Sequence, residues 1–125
     1  MHEIFKSHHP IRHARSFKHA FEGIFHALLH EANFRVQAVI VILSVVSGIY
    51  FKITNTEWGL LIISMGFLLA AELLNTVVEE FIDHVIKEYD EGAKIIKDMA
   101  AGFVLITAFV TAAIIYLVFW GKVFY

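Results

Sequence analysis

Three apolar runs, Val36 to Phe51, Trp58 to Val78 and Met99 to Trp120, constrain this chain more than any other feature. A helix needs about 20 residues to cross the hydrocarbon core of a bilayer. The first run, at 16 residues, covers only ~24 Å at 1.5 Å per residue and is slightly short. The second is interrupted by Glu72 and Asn75, and the third carries no charge. With 58% hydrophobic residues in 125, the chain is more apolar than a soluble core needs. The spacing therefore predicts an all-α integral membrane protein with three transmembrane helices. The 18% of charged residues are clumped between the runs, which argues against disorder and against a coiled coil. No cysteine is present, so disulfides, thiolate zinc sites and cysteine nucleophiles are excluded. No basic stripe with interleaved aromatics stands out, and nucleic acid is not an expected partner.

Lys and Arg in short flanks resist translocation and so set orientation. Five precede the first run (Lys6, Arg12, Arg15, Lys18, Arg35) and three lie between the second and third (Lys87, Lys94, Lys97). Lys52 and Lys122 stand alone in the other two flanks. The N-terminus and the second loop are expected on the cytoplasmic side, the first loop and the C-terminus outside. Nothing before Val36 resembles a signal segment, so the N-terminus is expected to be retained.

Ahead of the runs, Pro10 suits a first helical turn, and Phe17, Phe21, Ile24, Phe25 and Leu28 recur at three-and-four spacing. This predicts an amphipathic surface helix over residues 10–33, lying in the membrane interface or packed on the protein's own spans. Spans are expected at 34–52, 55–87 and 93–121, all within a single domain covering residues 1–125. Thr54 and Glu57 have capping-box spacing, Gly92 marks a turn, and the small residues between Ala100 and Ala113 suit close helix packing.

The chemistry concentrates in AELLNTVVEEFID, residues 71–83. At 100° per residue Glu72, Asn75, Glu79 and Asp83 share an arc of roughly 80° on one helix face. Glu72 lies about 9 Å inside the end of its run. An ionisable group there costs on the order of 2.5–3.5 kcal/mol, so it marks a functional site or a packing hydrogen bond. Across Gly92, Lys94, Lys97 and Asp98 precede the third run, with Lys97 and Asp98 at the level of Glu79 if the two helices form a hairpin. In HEANFR, residues 30–35, Glu31 and Arg35 have ion-pair spacing. Carboxylates beside lysines are what a magnesium–nucleotide site requires. No P-loop and no soluble-kinase motif is present. The histidine pairs His9/His13 and His26/His30 are read as polar-face residues rather than zinc ligands.

Taken together, EANFR, AELLNTVVEEFID and AKIIKDMAAG resemble the prokaryotic diacylglycerol kinase family, which includes undecaprenol kinases. The resemblance covers nearly the whole chain. It implies a homotrimer of three-span subunits in the bacterial inner or plasma membrane, transferring phosphate from ATP, with Mg²⁺, to the hydroxyl of diacylglycerol or undecaprenol. It implies that Glu72 is the general base, Asn75 the active-site amide, and Glu31 and Glu79 the metal carboxylates. It also implies nucleotide contacts from Lys97 and Asp98, with Arg12, Glu88 and Asp90 near phosphate or nucleotide. His19 departs from the aromatic found there in some members. Two other functions use the same intramembrane carboxylate. A non-enzymatic scaffold predicts no lipid-dependent ATP consumption, and a small cation channel predicts ion flux without ATP.

Overall fold

The computed structural model describes the backbone of residues 10–124 and the side chains of residues 14–124. Over these residues the chain is helical, running through α1 (Pro10–His30), α2 (Ala32–Tyr50), α3 (Asn55–Val85) and α4 (Glu91–Phe124). Of these, α2, α3 and α4 are long and apolar enough to cross a membrane. The first apolar run reaches spanning length because α2 begins upstream of it, at Ala32, giving 19 residues and about 28 Å. The 31 residues of α3 and 34 of α4 correspond to about 46 and 51 Å, well beyond a hydrocarbon core of ~30 Å, so both must protrude from it.

Helix α1 turns into α2 at Glu31, whose extended backbone (φ −98°, ψ 114°) interrupts the helical register. That interruption defeats the spacing expected to pair Glu31 with Arg35. Instead the Arg35 guanidinium donates to the Leu29 carbonyl at 2.8 Å and the Leu28 carbonyl at 3.5 Å. These belong to the last turn of α1, where carbonyls lack helical donors and the helix dipole favours a cation. Of the described α1 side chains only Ala27 is buried; Phe17, Phe21 and Phe25 are exposed, so this aromatic face does not pack on the chain's own spans.

At its other end α2 stops in a Schellman turn. The Ile53 amide donates to the Gly48 carbonyl at 3.1 Å and the Lys52 amide to the Ile49 carbonyl at 3.3 Å, with Lys52 in the left-handed region at φ 50°. The turn folds Ile53 into the core beside Leu61, Met65, Val118 and Phe119. Gly48 is required by this closure, because a Cβ there would sit 2.7 Å from the Trp58 ring and 3.0 Å from Ile53 Cδ1. Gly48→Ala is expected to destabilise the fold by about 1–3 kcal/mol through overpacking. Reversible unfolding in mixed detergent micelles checks this, and an unchanged midpoint would show that Trp58 yields freely.

Helix α3 starts with the expected capping box. The Thr54 amide donates to Glu57 Oε2 at 2.7 Å and the Glu57 amide to Thr54 Oγ1 at 3.3 Å. Glu57 also meets Lys122 at 3.1 Å, joining the start of α3 to the end of α4. Further along this principal packed pair, Thr111 of α4 donates to the Ser64 carbonyl of α3 at 3.1 Å. Thr107, Thr111, Ile114 and Val118 form the α4 stripe that turns towards α3, while Ala101, Ala112 and Ala113 are exposed. Within one chain, those three small residues therefore do not mediate the helix packing expected of them.

Gly92 is not the turn between the last two helices. Asp90 Oδ1 accepts from the Ala93 amide at 2.7 Å, so α4 is capped at Asp90 and begins at Glu91, with Gly92 in its first turn. The chain reverses over residues 86–90 instead, and Lys87 Nζ closes the end of α3 on the Asp83 carbonyl at 2.8 Å.

Candidate active site

Helix α3 buries a carboxylate and an amide where the apolar pattern breaks. Glu72 is 2% exposed and Asn75 8%, although, with the adjacent buried Thr76, they lie among Leu, Val and Ala. The partner that stabilises Glu72 comes from α2: Gln37 Nε2 donates to Glu72 Oε2 at 2.7 Å. Asn33, also on α2, lies close to the same carboxylate, and Glu31 and Glu79 are near enough to act on its charge. One turn along α3, Asn75 Nδ2 donates to Glu79 Oε1 at 3.2 Å. Thr76 is occupied locally, its hydroxyl donating to the Glu72 carbonyl at 3.1 Å.

Two buried acceptors in this cluster, Gln37 Oε1 and Asn75 Oδ1, have no hydrogen-bond partner among the described residues. A buried polar atom without a partner typically costs ~1–3 kcal/mol, and native proteins keep few of them. Each belongs to an amide whose donor end is turned to a carboxylate.

The remaining charges gather beyond Glu79, where α3 and α4 separate. Lys97 Nζ meets Asp83 Oδ1 at 2.9 Å and Oδ2 at 3.1 Å, and it also lies close enough to feel the charge of Glu79. Lys94 pairs with Asp98 at 2.5 Å, a four-residue spacing on α4. Around these pairs is a depression of about 290 Å³ lined by Asp83, Glu88, Asp90, Lys94, Lys97 and Asp98. Four of the residues selected from the sequence as nucleotide contacts, Lys97, Asp98, Glu88 and Asp90, thus surround one cavity. Asp90 is also engaged there as the α4 cap. The fifth, Arg12, is in α1 by its backbone, but its side chain lies outside the described residues.

The acidic face of α3 is therefore divided between two neighbours: Glu72 turns to α2 and Asp83 to α4. Among the described residues no three His, Asp or Glu side chains converge as a preformed metal cage. His26 and His30 stack on each other at 4.2 Å, with His30 Nδ1 2.9 Å from the His26 carbonyl oxygen. Gln37 was not singled out from the sequence. It was legible as the only amide in the Val36–Phe51 run, which is a signal of the same kind as Glu72 in the second run.

Comparison with known proteins gives this geometry a context. The family model for prokaryotic diacylglycerol kinase matches residues 18–119. The chain is 32% identical over 108 residues to the undecaprenol kinase of Bacillus subtilis, covering 86% of this chain and 88% of that protein. It is 29% identical over 116 residues to the diacylglycerol kinase of Helicobacter pylori, with 87% of each covered. With the diacylglycerol kinase of Escherichia coli it shares 30% identity over 103 residues, covering 82% of this chain and 84% of the relative.

Proposed function

The chain belongs to the prokaryotic diacylglycerol kinase family, and on that premise we propose that it is a membrane lipid kinase transferring the terminal phosphate of ATP to diacylglycerol or undecaprenol. The observation that carries this reading is the buried, Gln37-bonded Glu72 on the same helix as the charged depression around Lys97. A base within the apolar level meets a lipid hydroxyl, and a charged cavity beyond the apolar level meets a water-borne nucleotide.

Glu72 takes the proton of the lipid hydroxyl as its oxygen forms a bond to the terminal phosphorus of ATP. The bond from that phosphorus to the bridging oxygen breaks, and ADP leaves. Asn75 orients Glu79 and offers its free carbonyl to a donor on the incoming substrates. Lys97 exchanges Asp83 for phosphate oxygens, while Asp98, Glu88 and Asp90 shape the nucleotide cavity and Arg12 adds positive charge near phosphate or headgroup. Magnesium suits the donor set, because it binds through one or two carboxylates together with substrate phosphates and needs no all-protein cage. Glu31 and Glu79, both near Glu72, would hold it. When bound it neutralises charge on the phosphates.

The same reading places the protein in the bacterial inner or plasma membrane as a homotrimer. Residues 86–90 and the N-terminus then face the cytoplasm, the C-terminus faces outward, and α1 lies along the membrane surface with its exposed phenylalanines in the lipid. The test is direct. Purified protein given labelled ATP and Mg²⁺ is offered diacylglycerol and undecaprenol side by side. Label is expected in at least one lipid. If neither is phosphorylated, the reading fails, and ion flux without ATP would favour a channel instead.

A further inference from the structure

We infer that Gln37 is a positioning residue for the transfer step, holding the Glu72 carboxylate in its working orientation from the neighbouring helix. The inference rests on the reading of Glu72 as the general base. Gln37 Nε2 to Glu72 Oε2, at 2.7 Å, is a buried side-chain hydrogen bond joining α2 to α3 across 35 residues of sequence. Gln37 is 8% exposed and projects from a run that is otherwise apolar except for two serines and a glycine.

The two ends of this amide are treated unequally. Its donor end reaches the carboxylate, and its carbonyl end is buried without a partner. No other buried side-chain bond among the described residues reaches this carboxylate from a neighbouring helix at so short a distance. Long side chains such as Glu lose orientation readily, and an error of about 1 Å in a reacting group costs on the order of 100-fold in rate. A donor from a second helix removes that freedom.

Methionine at position 37 keeps the length and the apolar fit but has no N–H. Histidine restores a ring N–H at comparable reach. Gln37→Met, Gln37→His and Glu72→Gln are to be purified as full chains in detergent micelles and assayed with Mg-ATP and whichever of diacylglycerol or undecaprenol is the acceptor. Expected for Gln37→Met is a kcat lower by roughly 10- to 100-fold. KM for ATP and for lipid should stay within about twofold of the parent protein, and Gln37→His should recover most of the lost kcat. If kcat of Gln37→Met stays within about twofold while Glu72→Gln is inactive, the inference about Gln37 is overturned and the base assignment stands. A loss that Gln37→His shares in full, or that comes with lowered thermal stability of Gln37→Met, assigns Gln37 to packing and also overturns it. Near-normal turnover by Glu72→Gln removes the base, and the role of Gln37 with it.

Discussion

Glu72→Gln is expected to reduce phosphoryl transfer by roughly 100- to 10,000-fold, the range a positioned general base contributes. The substitution is close to isosteric, and a carbonyl oxygen remains at position 72 to accept from Gln37. The buried link between α2 and α3 can thus persist. What is lost is the ability to take a proton from the lipid hydroxyl. Nucleotide binding should survive, because the charged depression lies nearer the α3–α4 turn and is lined by other residues. Steady-state turnover with the phosphorylated lipid as readout, together with nucleotide binding by calorimetry, separates these effects. Turnover within a few-fold of the parent protein would remove Glu72 as the base. Loss of nucleotide binding would mean that the substitution had disturbed the site as a whole.

Glu79→Ala is expected to raise the magnesium concentration for half-maximal activity by at least about tenfold, a shift of the size seen when groups supporting a metal site are removed. Two losses combine in this variant. A carboxylate beside Glu72 disappears, and Asn75 Nδ2 loses its acceptor at 3.2 Å, leaving that buried amide unpartnered at both ends. Glu80 supplies the control, since it is exposed and lines the groove between α1 and α3 rather than the Glu72 cluster. Glu80→Ala should leave the magnesium titration where it was. If Glu79→Ala also leaves the titration unchanged, Glu79 is not a ligand. Excess magnesium restoring the rate would place the defect in metal affinity rather than in the fold.

Much of the architecture was legible locally. The three long helices follow from apolar length, because a backbone within hydrocarbon must satisfy its own hydrogen bonds and a single segment does so only as a helix. The Thr54–Glu57 cap was legible for a similar reason, since both partners lie within one turn. Elsewhere local reading went astray. Arg35 was expected to meet Glu31 by helical spacing, but the extended backbone at Glu31 breaks that spacing and the end of α1 supplies better acceptors. Gly92 suggested a turn, but Asp90 two residues earlier caps the helix. Ala112 and Ala113 suggested a packed face, and α4 presents a different face to α3.

The division at the site has one physical cause. By itself the sequence determined which residues share a face of α3, because 100° per residue is a property of the helix alone. It also determined that Glu72 is an expensive group in need of a reason. Only the tertiary structure decided what that face meets. Glu72 is bonded to Gln37 and Asp83 to Lys97, pairs separated by 35 and 14 residues, because the rotation and register of each helix are set by side-chain packing along its whole length. A hydrogen bond is sensitive to tenths of an ångström, and no local pattern carries that information.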